Sequence, residues 1–206
     1  MRRAGPTLAN WKGLLLLCIA GTALAQAPPL SNFDTSGQVA IDGQPVSYLI
    51  RRLPPASFPS LPPAVSATLD SRKCLIPQTY EAYHPENVIH ASLERPGSSD
   101  WAVLCSVKGT VSLLVFFGSR SPGDPFELAS AQETERLQPN GGTGVLGFNW
   151  AIDAATPQQV HDAQAGLDPR PPLIDHDALA DSTIDRKTVY HFYANGSWTL
   201  LEMPLP

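Results

Sequence analysis

The stretch Trp101–Phe117, WAVLCSVKGTVSLLVFF, carries the strongest β-strand pattern in the chain. Alternate residues of its first half lie on one face of an extended strand, namely Trp101, Val103, Cys105 and Val107. Lys108-Gly109 predicts a tight turn, and the returning segment Thr110–Phe117 is apolar on both faces. Such a strand is expected in the middle of a sheet that is covered on both sides.

Outward from this hairpin, Val88–Leu93 completes a predicted three-stranded meander. Asp42-Gly43 and Asn195-Gly196 predict two further hairpins, and a single strand is predicted over 147–152. Short helices are predicted from Pro63 to about Lys73, from Pro157 to Ala165 and from Asp175 to Ala180. Because βαβ alternation is absent, the predicted fold class is α+β, with one mainly antiparallel sheet of six to eight strands and two or three short helices.

The composition is that of one globular domain with an acidic balance. The chain has 206 residues, of which 43% are apolar and 16% charged, and its formal net charge is −5. A length near 150–200 residues is typical of a single domain. Since no basic stripe is present, nucleic acid is excluded as an expected partner.

The first 25 residues have the organisation of a secretory signal peptide. Arg2, Arg3 and Lys12 precede the apolar run GLLLLCIAG, and Ala23-Leu24-Ala25 supplies a small-x-small cleavage pattern. A membrane anchor is the alternative, but nine residues are fewer than the ~20 that span a bilayer. The predicted organisation is a signal peptide over 1–25, a flexible tail over 26–36 and a single domain over 37–206. The expected location is periplasmic or secreted, with no membrane span after cleavage.

Cleavage leaves two cysteines, Cys74 and Cys105. Two thiols of one exported domain are expected to form a disulfide, because the compartment is oxidising. The alternative is a pair of buried free thiols.

Five histidines are present, and His176 has the most suggestive neighbours. Asp175 and Asp177 flank it, and Asp185 follows nearby. In a helix, Asp177 and Asp181 would share a face and could bind a cation or orient His176 as a general base. The alternative is an acidic, solvent-exposed helix start. No HExxH, GxSxG or Walker motif accompanies the cluster, so neither a metal site nor a cofactor is predicted.

The loop between the predicted helix and the meander is a second candidate site. It concentrates aromatic and titratable residues, of which Tyr80, Tyr83, His84 and Glu86 are the candidate binding residues. Aromatic side chains offer contact area at low entropic cost, so this loop could recognise a partner. The alternative is that the same residues cover a sheet edge.

The segment Ser92–Val103, SLERPGSSDWAV, resembles one motif of the FG-GAP type, in which an acidic loop joins two strands and often holds calcium. Four residues take the ligand positions of that pattern: Ser92, Glu94, Pro96 and Asp100. Pro96 offers no side-chain oxygen, so a similar turn without calcium is the implied outcome.

Nearly the whole mature chain also resembles a group of small exported bacterial proteins, which implies an exported single domain and supplies no catalytic residues. The phrases that carry this resemblance are Tyr48–Arg51, Cys74–Gln78, Glu86–Ile89, Asp100–Cys105 and Asp175–Asp177.

The function expected from these observations is a non-enzymatic binding or envelope-associated domain whose partner is an envelope or extracellular protein. The alternative is a hydrolase or metal-dependent enzyme that uses His176 with Asp177 and Asp185. A small inhibitor of an external enzyme, which would display a rigid exposed loop, is a third hypothesis.

Overall fold

The computed structural model describes residues 33–170 and 173–202, so the predicted signal peptide lies outside the described residues. In these two ranges the strands are β1 (Thr35–Ile41), β2 (Gln44–Leu53), β3 (Ile76–Gln78), β4 (Val88–Ala91), β5 (Asp100–Val107), β6 (Thr110–Phe116), β7 (Phe126–Gln132), β8 (Leu137–Pro139), β9 (Leu146–Phe148), β10 (Trp150–Ala155), β11 (Ala178–Thr183), β12 (Lys187–Ala194) and β13 (Ser197–Glu202). The α-helices are α1 (Pro63–Ser71) and α2 (Pro157–Ala163), and short 3-10 helices form at Pro55–Ser57 and Glu133–Arg136. None of the described helices has the length and apolar character needed to cross a membrane.

The central sheet has the strand order β4-β5-β6-β7, and all its pairs are antiparallel. The hydrophobic cluster on one face joins β5 to α1 and includes Val65, Leu69, Trp101, Val103 and Cys105. The cluster on the other face joins β5 to the rest of the fold and includes Ala102, Leu104, Phe148, Trp150 and Leu179. The predicted meander and its position in the middle of a covered sheet are confirmed.

Two further sheets pack around this centre. The first has the order β1-β2-β9-β8 with β3 paired to β2, and its β2–β9 pair is parallel. The second is the antiparallel sheet β10-β11-β12-β13. The described chain is therefore mainly β, with three sheets and two α-helices, and the expectation of one sheet of six to eight strands is wrong.

The reason for the split is visible at Asn149. The predicted strand over 147–152 is two strands, β9 and β10, which belong to different sheets. The Asn149 N–H donates to the carbonyl oxygen of Arg136 at 2.9 Å, and its carbonyl oxygen accepts from the Ile184 N–H at 3.0 Å. These two bonds satisfy the backbone at the point where the chain leaves one sheet and enters the next.

The local turn and cap predictions are confirmed. Asp42-Gly43 and Asn195-Gly196 both have positive φ at the two central positions, as a type I′ hairpin turn requires. The first helix begins at Pro63 and buries Val65 and Leu69. The second begins after Thr156, whose side chain accepts from the Gln159 N–H in a reciprocal capping box.

The helix predicted over Asp175–Ala180 is wrong, because Ala178–Thr183 forms β11 between β10 and β12. Leu179 faces the central cluster, whereas Ala178 and Ala180 pack beside Val160 of α2 on the opposite face. Burial on two alternating faces favours a strand, so tertiary context overrides the local helical pattern. Of the tail predicted over 26–36, residues 26–32 lie outside the described residues, and Thr35 and Ser36 pair with β2.

A disulfide joins Cys74 and Cys105, as predicted, with a Cα–Cα distance of 5.3 Å. Beside it, Leu75 and Ser106 exchange two backbone hydrogen bonds of 3.0 and 2.7 Å. The disulfide and these two hydrogen bonds therefore fix the chain after α1 to the middle of β5. On the chain-entropy account, closing a loop of this size stabilises the fold by roughly 3–4 kcal/mol.

Asn87 lies where the three sheets meet. Its side chain is 1% exposed, and its Nδ2 donates to the carbonyl oxygens of Pro77 at 2.8 Å and Trp150 at 3.2 Å. Its Oδ1 accepts from the Ile152 N–H at 3.1 Å, and its backbone carbonyl accepts from the Leu104 N–H at 3.1 Å. Since these partners belong to β3, β10 and β5, one residue connects all three sheets.

We predict that Asn87→Gly lowers the free energy of unfolding by about 3–5 kcal/mol, because three buried backbone groups lose their partner. The matched control is Asn195→Gly, which also replaces an asparagine with positive φ but lies in an exposed turn. That change should cost about 0.5 kcal/mol or less. Denaturant unfolding of both variants measures the difference, and equal costs would contradict the role assigned to the Asn87 side chain.

Candidate functional site

His176 is held by acceptors at both ring nitrogens. Nδ1 lies 2.8 Å from Oδ1 of Asp175, and Nε2 lies 2.8 Å from the carbonyl oxygen of Tyr193 on β12. A carboxylate and a carbonyl only accept, so both bonds exist together only when both ring nitrogens carry protons. The ring, whose side chain is 8% exposed, then has no free lone pair with which to abstract a proton.

The other two residues of the predicted catalytic set lie elsewhere. Asp177 Oδ2 accepts from the Ser92 N–H at 3.0 Å, and the Asp177 N–H donates to the Ser92 carbonyl at 3.0 Å. Asp185 stands in the turn after β11, where its Oδ2 accepts from the Tyr80 hydroxyl at 3.4 Å. The six residues of β11 separate the two aspartates by roughly 20 Å. The structure therefore does not bring His176 and Asp185 together.

Two cavities lie against His176. The larger, the His176 cleft, has a volume of 620 Å³ and is lined by Leu173, Ile174 and Phe192 together with polar residues of β13. The smaller, the Glu94 groove, has a volume of 340 Å³ and is lined by Glu94 and Arg95. Both cavities also have Asp175, His176, Ala194 and Asn195 in their walls.

The second candidate site, the 79–86 loop, has a firmly hydrogen-bonded base. Glu86 Oε1 accepts from the Thr79 N–H at 2.7 Å. The Gln78 side chain pairs with the Glu86 backbone, since its Oε1 accepts from the Glu86 N–H at 2.9 Å and its Nε2 donates to the Glu86 carbonyl at 3.1 Å. Arg51 Nη1 donates to the Ala82 carbonyl at 3.2 Å. Glu86 thus stabilises the loop from within.

Tyr80 anchors the same loop from the other side. Its N–H donates to the Phe148 carbonyl at 2.9 Å, and its hydroxyl accepts from Gln138 Nε2 at 2.6 Å. It packs so closely on Gly147 that a Cβ there would lie 2.3 Å from Tyr80 Cβ. Burial raises the pKa of the Tyr80 phenol, and the charges of Glu81 and Asp185 raise it further. Tyr80 is therefore a neutral hydrogen-bonding anchor.

The tip of the 79–86 loop projects into solvent. Tyr83 is 94% exposed, and His84 and Pro85 beside it are also exposed. Of the four predicted binding residues, the structure therefore places Tyr83 and His84 at the tip and Tyr80 and Glu86 at the base. A rigid base below an exposed aromatic tip is an arrangement suited to recognition of another surface.

The segment that resembles the FG-GAP motif closes around a carboxylate. Asp100 is fully buried, and its Oδ2 accepts from the N–H groups of Leu93 at 2.8 Å and Glu94 at 2.7 Å and from the Ser98 hydroxyl. Its Oδ1 accepts from the Gly118 N–H at 2.9 Å. Protein donors thus occupy both oxygens of Asp100. Over residues 33–170 and 173–202, no group of three or more His, Cys, Asp or Glu side chains could hold a metal ion.

The residues that complete each site could not be predicted from local sequence patterns. Phe192 and Asn195 border the His176 cleft from the last hairpin, and no local pattern connects them with residues 173–176. Gln78 fixes the 79–86 loop, and the only available signal was a polar residue directly after the apolar run Leu75–Pro77. Both sets depend on strand pairing between distant segments.

We predict that His176→Gln raises the pKa of Asp175. In the intact protein the hydrogen bond from His176 lowers this pKa, and the backbone N–H of Asp175 and the histidine charge add to the effect. Because the folded-state pKa is depressed, the contribution of ionised Asp175 to stability is present above the unfolded pKa and is lost as the pH falls through the folded value.

Carboxyl NMR titration of the wild type, His176→Gln and the control His84→Gln measures this effect. The pKa of Asp175 should rise in the first variant and stay at its wild-type value in the second. An unchanged Asp175 pKa in His176→Gln would show that the pair does not exist in solution.

Comparison with known proteins was negative at every level. A scan against protein-family models, a search of curated protein sequences and a search of solved structures each found no match. None of the sites described above therefore takes its role from a relative, and each depends on its own contacts.

Proposed function

We propose that this chain is an exported, non-enzymatic binding domain that recognises an envelope or extracellular protein through the tip of the 79–86 loop. The observation that carries the proposal is Tyr83, which is 94% exposed on a loop with a fixed base. Exposed aromatic side chains are enriched among the residues that dominate protein–protein binding energies.

The rigidity of the loop supports a binding role. A mobile loop loses conformational entropy when it binds, whereas a loop already held in one conformation loses little. Glu86, Gln78 and Arg51 hold the 79–86 loop by hydrogen bonds to its backbone, so the base from which the tip projects is held before any partner arrives.

The contacts of His176 favour binding over the hydrolase alternative. That alternative needs a histidine with a free lone pair and carboxylates within hydrogen-bond reach. Within the described part of the chain, both nitrogens of His176 already have acceptors, and Asp177 and Asp185 are engaged by Ser92 and Tyr80. These contacts support a structural role for His176, Asp177 and Asp185.

Export is proposed on the signal pattern over 1–25, and the Cys74–Cys105 disulfide is compatible with it. Disulfides persist in the periplasm and outside the cell but are rare in the reducing cytosol. The destination proposed here is the periplasm or the medium.

We predict that the intact mass of the exported protein fits cleavage after Ala25. Two thiols should become available to alkylation only after reduction, because Cys18 leaves with the signal peptide and the remaining two cysteines are joined. Mass spectrometry with and without reductant measures both points. A mass that retains residues 1–25, or thiols that react without reduction, would contradict the proposed export.

We predict that a photoreactive benzoylphenylalanine in place of Tyr83 forms a discrete crosslinked product with one protein in the exporting cell. The same amino acid in place of Gln158, an exposed residue of α2, is the control and should not form that product. Gel shift and mass spectrometry identify the product.

A variant of the loop base tests the role of rigidity. Glu86→Ala removes the acceptor for the Thr79 N–H, so crosslinking at position 83 should fall several-fold while the domain stays folded. Equal products from positions 83 and 158, or no discrete product from position 83, would overturn the proposed binding surface.

A further inference from the structure

The His176 cleft and the Glu94 groove are neighbours. They have volumes of 620 and 340 Å³, and the same four residues, Asp175, His176, Ala194 and Asn195, lie in the walls of both. Small-molecule sites have volumes of roughly 300–1,000 Å³ and combine apolar walls with a few polar groups. The two cavities together have that size and that combination.

The cleft presents an apolar surface that the described chain leaves open. Leu173 is 52% exposed, and Ile174 and Phe192 are half-buried beside it. Leu173 and Ile174 precede β11 and Phe192 belongs to β12, so the cleft lies on the face of the last sheet that also carries α2. A hydrocarbon group in the cleft would remove this surface from water, at about 25 cal/mol per Å².

The groove is polar and carries charges of both signs. Glu94 and Asp175 are acidic, whereas Arg95 is basic. Neighbouring charges of opposite sign partly cancel, so the lining does not strongly favour a ligand of either sign. The amide of Asn195, also in the wall, can both donate and accept.

The groove residues offer both donors and acceptors for hydrogen bonds. Arg95 only donates, whereas the carboxylates of Glu94 and Asp175 only accept. The Ser119 hydroxyl holds Glu94 in place by donating to its Oε1 at 2.8 Å. Hydroxyl groups, which both donate and accept, are suited to such a lining.

We infer that the joined cavities bind a neutral amphiphile, with a hydroxyl-rich head group such as a sugar ring in the Glu94 groove and an alkyl chain in the His176 cleft. The mixed donors and acceptors of the groove select a hydroxyl-rich head group, and the exposed apolar wall of the cleft selects the chain. His176 forms the junction between the two and takes no part in chemistry. This site is separate from the 79–86 loop, so the inference does not depend on the proposed function.

The test uses four soluble probes with the mature protein. Octyl glucoside carries both features, octylamine and octanoate carry the same chain with opposite charges, and glucose carries the head group alone. Titrations are followed by backbone amide NMR, and the three probes with an alkyl chain are kept below their micelle concentrations. Octyl glucoside should give saturable shifts at residues 173–176 and 192–199, and each of the other three should bind at least tenfold more weakly.

Two variants locate the site. Thr199 is an exposed residue of β13 that lines the cleft, so Thr199→Trp fills the cleft and should weaken octyl glucoside binding at least tenfold. Glu94→Gln replaces a carboxylate acceptor of the groove with an amide and should weaken it about fivefold, the equivalent of one hydrogen bond. Leu173→Asp tests the cleft independently, because this exposed position tolerates a charge, and Tyr83→Ala is the control that leaves binding unchanged.

Three outcomes would overturn the inference. The first is binding of octylamine, octanoate or glucose as tight as that of octyl glucoside. The second is saturable shifts at residues outside the two cavities, or no saturable shifts at all. The third is an unchanged affinity in both Thr199→Trp and Leu173→Asp.

Discussion

The buried amide of Asn87 is the interaction on which the rest of this fold depends. Through its side-chain amide and its backbone carbonyl, Asn87 pairs with backbone groups of β3, β10 and β5. A buried amide is favourable only when its groups are satisfied, and here both side-chain atoms have partners. Asn87 directly follows the 79–86 loop, so the junction of the sheets adjoins the loop base that Gln78 and Glu86 hold.

The local features of the fold could be predicted from the sequence because their causes are local. Asp42-Gly43 and Asn195-Gly196 specify their own turns, and Thr156 with Pro157 specifies the start of α2. The number of sheets could not be predicted, since the break at Asn149 depends on partners from Arg136 and Ile184. The helix expected over 175–180 failed for the same reason, because two neighbouring strands decide the conformation of β11.

The candidate sites, like the fold, could be predicted only in part from the sequence. The hypothesis of a recognition loop was based on composition alone, and the structure adds that Tyr83 lies exposed at the tip. Composition could not reveal that Glu86 faces the loop backbone or that His176 bridges Asp175 and Tyr193. Several polar residues that the sequence suggests as reactive groups instead form hydrogen bonds with backbone groups. A β-rich core with many short connections contains many buried backbone groups, and each of them needs a hydrogen-bond partner.

The parallel pair of β2 and β9 has a consequence for the order of assembly. Its partners, Tyr48 with Leu146 and Leu49 with Gly147, are separated by roughly a hundred residues of intervening chain. The amino-terminal hairpin is synthesised first, yet its sheet is completed only after the whole central meander has emerged. Contacts of such long sequence separation slow folding. A nascent chain therefore leaves Tyr48 and Leu49 without their second neighbouring strand until Leu146–Phe148 has been synthesised, and the edge of the first hairpin stays open during that interval.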